Sequence, residues 1–200
     1  MHATAIWWDR GGDTIFHFQG VSVSYGWANL ALFLRRSTDN GVTWSAPHWI
    51  NREHGLRNMP IAGAIKTAAG VMALPCDAVT GGNGGSAIHL SDDGGFTWRE
   101  PGADTPAPEF VEGASGGTIA GIHAGVVEIA GGRLMALGRG DTINGRMPKS
   151  VSGDMAKPGP IPQAPSHPSA ADSAWRCYAW PKAPSSLPHS PAPAKSSMTA

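Results

Sequence analysis

RRSTDNGVTW occupies Arg35–Trp44, and HLSDDGGFTW occupies His89–Trp98. Both contain Ser-x-Asp-x-Gly-x-Thr-Trp, and unlike sequence separates them. The eight residues suit a tight turn between antiparallel strands. Asp39 and Asp93 can accept backbone N–H groups two or three residues on, in the Asx-turn manner. Gly41 and Gly95 allow positive φ where a Cβ would clash. Thr43 and Thr97 resume a strand, while Trp44 and Trp98 bury a large ring that pins the turn. Ser37 and Ser91 add a hydroxyl bond within the loop. Every position has a structural reason, so these aspartates read as fold staples rather than catalysts.

Strand patterns surround both boxes. TIFHF (14–18) alternates, and LALFLRR (30–36) runs into the first box. Residues 61–74 read as two short strands about a turn at Ala69-Gly70, and SAIHLS (86–91) runs into the second box. GIHAGVVEIAGGRLMAL (121–137) repeats the layout of apolar strand, glycine turn and apolar strand. VMAL (71–74) returns as LMAL (134–137). Self-similarity at about 40–60 residues, built from short strands, is the mark of propeller blades. A third box begins at Ser152-Gly153-Asp154 and then breaks off: Ala156, Pro158 and Gly159 stand where Gly, Thr and Trp belong. From there to residue 200 the chain is Pro/Ala/Ser-rich with no period of 2 or 3.6. Proline denies sheet hydrogen bonds and aliphatic residues are few. The expectation is a folded unit over 1–157 and a tail over 158–200 that is disordered, or that arises from a shifted reading frame.

Two hundred residues suffice for one domain with a core, or for part of a larger one. Lys plus Arg balance Asp plus Glu, so no nucleic-acid partner is indicated. No apolar run is long enough to cross a membrane. The opening MHATAIWWDRGGD shows no secretory signal, and the compartment stays open. Cys76 and Cys177 are not expected to pair. GGNGG (81–85) lacks the lysine and helix of a phosphate loop. The eight histidines lack ligand spacing, so neither a metal nor a cofactor is expected.

The two intact boxes and the decayed third resemble the Asp-boxes of sialidases (neuraminidases) and their BNR-repeat relatives. The flanks agree: FLRRSTDNGVTWSAP is similar to the first-blade turn of bacterial sialidases, and GLRNMPIAGAI and GVVEIAGGRLMALGRG to the strands that follow. The resemblance covers about residues 13–157. It implies a six-bladed β-propeller of four-stranded antiparallel sheets, of which this chain would be an all-β part of about three blades, with exposed sheet edges open to association. It implies a sialidase-like glycoside hydrolase acting on terminal sugars of glycans, inactive as an isolated chain. The alternative is a non-catalytic carbohydrate-binding or scaffold propeller.

The same resemblance implies three arginines clamping the sugar carboxylate, an acid/base Asp, and a Tyr nucleophile activated by a Glu. Arg139, at a strand end in LMALGRGD, is the first substrate-binding candidate, with Arg146 and Arg57 beside it. No Asp lies in the loop before LRRSTD, where the acid/base would stand. In one alignment His123 replaces the activating Glu, where it could serve as a base or hydrogen-bond a ligand. In another alignment that Glu belongs to a part of the fold outside this chain. Asp77 opens a glycine-rich loop after a strand and could face the central pocket, so His123 and Asp77 are the catalytic candidates. Neither Tyr25 nor Tyr178 takes the nucleophile's place.

Overall fold

The computed structural model describes residues 3–23, 29–78, 84–105, 109–140, 142–153 and 175–179. No α-helix occurs among them, and three antiparallel sheets make up the fold. The first is a meander of β1 (Ala3–Asp9), β2 (Thr14–Ser22), β3 (Leu30–Ser37) and β4 (His48–Gly55), in that order. β1 lies outside the strands expected from sequence. It pairs with β2 along its whole length, from Ala3↔Gly20 to Asp9↔Thr14. Its alternation is muted because Trp7 faces the core while Ile6 and Trp8 are exposed.

After a single 3-10 turn at Leu56–Asn58 comes the second sheet. β5 (Met59–Pro60) and β6 (Ile65–Lys66) both pair with one side of β7 (Met72–Asp77), and β8 (Ser86–Ser91) pairs with the other. The turn at Ala69-Gly70 is present, with Gly70 at φ 86°. Every residue of β7 and β8 is buried, because neighbours cover both faces. On one face Met72, Leu74 and Cys76 join Phe16, Phe18, Leu32 and Leu34 of the first sheet. On the other, Ala73, Ile88 and Leu90 join Ala124, Val126, Leu134 and Trp175 of the third. A fully buried side chain of this size contributes about 1.5–3 kcal/mol, so the two clusters are what hold the sheets together.

The third sheet contains β9 (Ser115–Gly116), β10 (Ile122–Ile129), β11 (Arg133–Arg139), β12 (Pro148–Ser152) and β13 (Trp175–Ala179), in the order β10-β11-β12-β13-β9. β13 lies within the Pro/Ala/Ser-rich segment 158–200. WRCYA sends Trp175 and Cys177 inward and Arg176 outward, and it pairs with β12 from Pro148↔Ala179 to Ser152↔Trp175. Its proline-rich surroundings conceal this period-2 pattern, and the last described strand therefore lies beyond residue 157. Other residues of 158–200 lie outside the described residues. Cys76 and Cys177 are both free and buried.

Each box begins with the serine that ends a strand. Ser37 ends β3, Ser91 ends β8 and Ser152 ends β12. In the first box Ser37 Oγ donates to Asp39 Oδ1 and accepts the Gly41 amide, each at 2.8 Å. The second box repeats both bonds at 2.8 Å, from Ser91 Oγ to Asp93 Oδ1 and from the Gly95 amide to Ser91 Oγ. The aspartates reach further than a simple Asx turn, to the amides of Thr43 and Thr97 four residues on. The Trp44 and Trp98 indoles donate to Gly41 O and Gly95 O at 3.0 Å. Trp98 also stands edge-on to buried Phe18. In the decayed box Ser152 Oγ instead accepts the Leu134 amide, and Asp154 lies outside the described residues. The chain is thus an all-β partial propeller.

Candidate functional site

Three residues singled out from sequence meet at one end of the second and third sheets. Asp77 is the last residue of β7, His123 the second of β10 and Arg139 the last of β11. Both Asp77 carboxylate oxygens bind His123: Oδ1 accepts its backbone amide at 2.8 Å, and Oδ2 faces Nε2 at 3.0 Å. On the other side of the ring, Arg139 Nε donates to His123 Nδ1 at 3.0 Å. The Asp77 side chain is 4% exposed and that of His123 41%, so the group runs from the interior to the surface.

A backbone irregularity makes this possible. β10 and β11 pair at Ile122↔Arg139 and again at Gly125↔Leu137, so His123 and Ala124 oppose Gly138 alone. This is a β-bulge, which re-aims a side chain. His123 takes φ 53°, a left-handed conformation uncommon for a residue with a Cβ. The strands touch here. A Cβ on Gly121 would lie 2.6 Å from the Gly138 carbonyl carbon, and one on Gly138 would lie 2.4 Å from Ala120 O. A side chain at either position would push His123 away from Arg139. The sequence signal for this pair is glycine inside a strand pattern, which marks close backbone approach.

The hydrogen bonds fix the protonation pattern. An arginine Nε–H only donates, so His123 Nδ1 carries the lone pair and the ring proton sits on Nε2, facing the carboxylate. Burial pushes the Asp77 carboxyl up from the ordinary carboxylate range, while the His123 amide and ring and the Arg139 guanidinium pull it back. With Nε engaged by His123, the Arg139 guanidinium is held as an oriented fork at an exposed strand end. Such a fork suits a carboxylate or a pair of sugar oxygens.

The other arginines lie elsewhere. Arg57 grips Glu100 through two nitrogens, Nε to Oε2 at 2.7 Å and Nη2 to Oε1 at 2.9 Å. It also donates to Thr118 Oγ1 and Gly117 O. Its guanidinium is thereby taken up within the protein, and sequence reasoning did not find the partner Glu100. Arg146 closes a tight turn by exchanging backbone hydrogen bonds with Ile143, and its side chain is exposed. No hydrogen bond or ion pair among the described residues joins it to Asp77, His123 or Arg139. No group of three or more His, Cys, Asp or Glu among the described residues could hold a metal ion.

The sequence matches the BNR repeat-like domain family over residues 3–175. No curated protein matches it. Among solved structures it is similar to the Hadza microbial sialidase Hz136, with 18% identity and a TM-score of 0.55, over 88% of this chain and 32% of that one. Weaker likenesses, with TM-scores of 0.46 and 0.44, are to the K499G mutant of the NanB sialidase from Streptococcus pneumoniae and to the Trypanosoma rangeli sialidase in complex with sialic acid. The first is 16% identical over 76% of this chain and 19% of that one. The second is 13% identical over 70% and 22%. The likeness to Hz136 shows a shared fold, and this chain spans about a third of that protein's length.

Proposed function

The chain belongs to the BNR repeat-like domain family, and on that premise we propose that it is a sugar-recognising part of a sialidase-like glycoside hydrolase that acts on terminal sugars of glycans. One observation carries the reading: an exposed arginine, Arg139, oriented by His123, which is oriented in turn by buried Asp77. Arg139 binds the substrate through its terminal nitrogens, which the bond from Nε to His123 leaves uncommitted. His123 and Asp77 hold it there, and His123, the exposed member of the pair, is the nearer of the two to a bound sugar.

A second reading, carbohydrate binding without catalysis, is favoured by one feature of the same group. Both oxygens of Asp77 and both ring nitrogens of His123 are committed to partners inside it. A general acid or base needs an atom within reach of the substrate's proton.

One experiment separates the readings. The full chain is incubated with fluorogenic sialosides and neutral glycosides, and binding of the corresponding oligosaccharides is followed by calorimetry. Saturable binding that falls at least about tenfold in Arg139→Ala, equivalent to about 1.4 kcal/mol, is expected. Turnover excludes the non-catalytic module, whereas binding without turnover is the result common to that module and to a hydrolase part that is inactive on its own. A folded wild-type chain that binds none of the sugars overturns both.

A further inference from the structure

We propose that Ser86, the first residue of β8, is a positioning residue for His123, an inference that rests on Asp77, His123 and Arg139 being the sugar site. The bulge in β10 removes polar backbone groups from the sheet ladder, and buried polar groups must find partners elsewhere. Residues from the neighbouring sheet supply them. The Ser86 hydroxyl donates to Gly121 O at 2.9 Å and accepts the Ala124 amide at 3.3 Å. Asp77 Oδ1 accepts the amide between them, that of His123. Asp77 and Ser86 are themselves a cross-strand pair of β7 and β8. The Ser86 backbone also exchanges two 2.9 Å hydrogen bonds with Ile119, just ahead of the bulge.

One hydroxyl therefore grips the backbone on both sides of His123. The ring is left to point along the line from Asp77 to Arg139. Ser86 is fully buried and cannot touch a sugar, so its effect is exerted through the orientation of His123. Without the hydroxyl, Gly121 O and the Ala124 amide lose a shared partner, and the bulge can relax toward a regular ladder that carries His123 off its two partners.

The test reads the histidine ring itself, without ligand. In nitrogen-15 spectra of the full wild-type chain, His123 is expected as a single neutral tautomer with its proton on Nε2, and the Ala124 amide as protected from solvent exchange. In Ser86→Ala the two ring nitrogens are expected to shift toward averaged values, and Ala124 to exchange at least about tenfold faster. The indole N–H signals of Trp44 and Trp98 report that the fold is intact. Ser86→Ala with these indole signals unchanged and the wild-type ring shifts retained overturns the proposal. Should Ser86→Ala not fold, Ser86→Cys keeps the volume with a poor hydrogen-bonding group and is expected to give the same ring shifts; wild-type ring shifts in it overturn the proposal. An Ala124 amide that exchanges in the wild type as fast as an exposed one overturns it without any variant. Sugar binding does not enter these readouts, so a chain that binds no sugar but shows them fails the functional reading and keeps this one.

Discussion

Arg57→Ala is expected to lower stability, whereas Arg139→Ala is expected to lower sugar binding. The Arg57 side chain is 23% exposed and that of Glu100 9%, so removing the arginine strands a nearly buried carboxylate. Its one other described donor is the Gly102 amide at 2.9 Å. Breaking a buried pair by deleting one partner costs about 3–5 kcal/mol. Partial access of water to Arg57 puts the loss at the lower end, about 3 kcal/mol. In a chain of this size each kcal/mol moves the midpoint by about 2–4 °C, so the expected drop is about 6–12 °C. Arg139 sits at an exposed strand end, and its loss should move the midpoint by no more than about 3 °C. Thermal unfolding followed by near-ultraviolet circular dichroism measures both. Glu100→Ala should repeat most of the loss, and the double variant should lose less than the two single variants added together. An Arg57→Ala midpoint within about 2 °C of wild type, or a loss of sugar binding matching that of Arg139→Ala, would refute the assignment of Arg57 to the frame.

Two pH responses follow from individual groups. His89 is buried, bonds Arg57 O through Nε2, and is held below its ordinary 6.5 by burial. The unfolded chain therefore takes up the proton first, so stability is full above 6.5 and falls as pH drops below it toward the depressed native value. Denaturant midpoints measured across that range should slope in wild type and flatten in His89→Gln. In the first box the Thr43 hydroxyl and amide, with the Ser37 hydroxyl, hold the Asp39 carboxyl at about 2 against the ordinary 3.8. Its contribution to stability is complete above 3.8 and is lost as pH falls through about 2. Carboxyl carbon-13 titration should find that midpoint, and Thr43→Val should move it upward; a wild-type midpoint at 3.8 would contradict the box geometry.

What the sequence reveals here depends on how far apart the interacting residues stand. The boxes are local: Ser37, Asp39, Gly41, Thr43 and Trp44 bond one another within a few residues, so their spacing carries the geometry. Asp77, His123 and Arg139 could be named one by one from strand ends and family pattern. Their meeting could not be foreseen, because it depends on a bulge and on two glycines in contact across strands. Arg57 resembled a sugar ligand for the same reason, since its partner Glu100 belongs to another part of the chain. β13 was hidden because composition averaged over a proline-rich stretch masks five alternating residues.

Topology also explains why the most legible motif is silent about chemistry. Of two consecutive antiparallel strands, one starts and the next ends at the same edge. That edge holds His123 at the start of β10, Arg139 at the end of β11 and Asp77 at the end of β7. The next strands, β8 and β12, run back to the opposite edge, where the boxes follow. The register bears this out: Asp77 lies opposite Ser86 at the start of β8, whereas Ser91, which opens the second box, lies opposite Met72. A box can therefore be tuned for stability without disturbing the site, and a site residue can change without loosening a box. The two intact boxes repeat for the sake of the turns they close, so their spacing carries no information about the group formed by Asp77, His123 and Arg139.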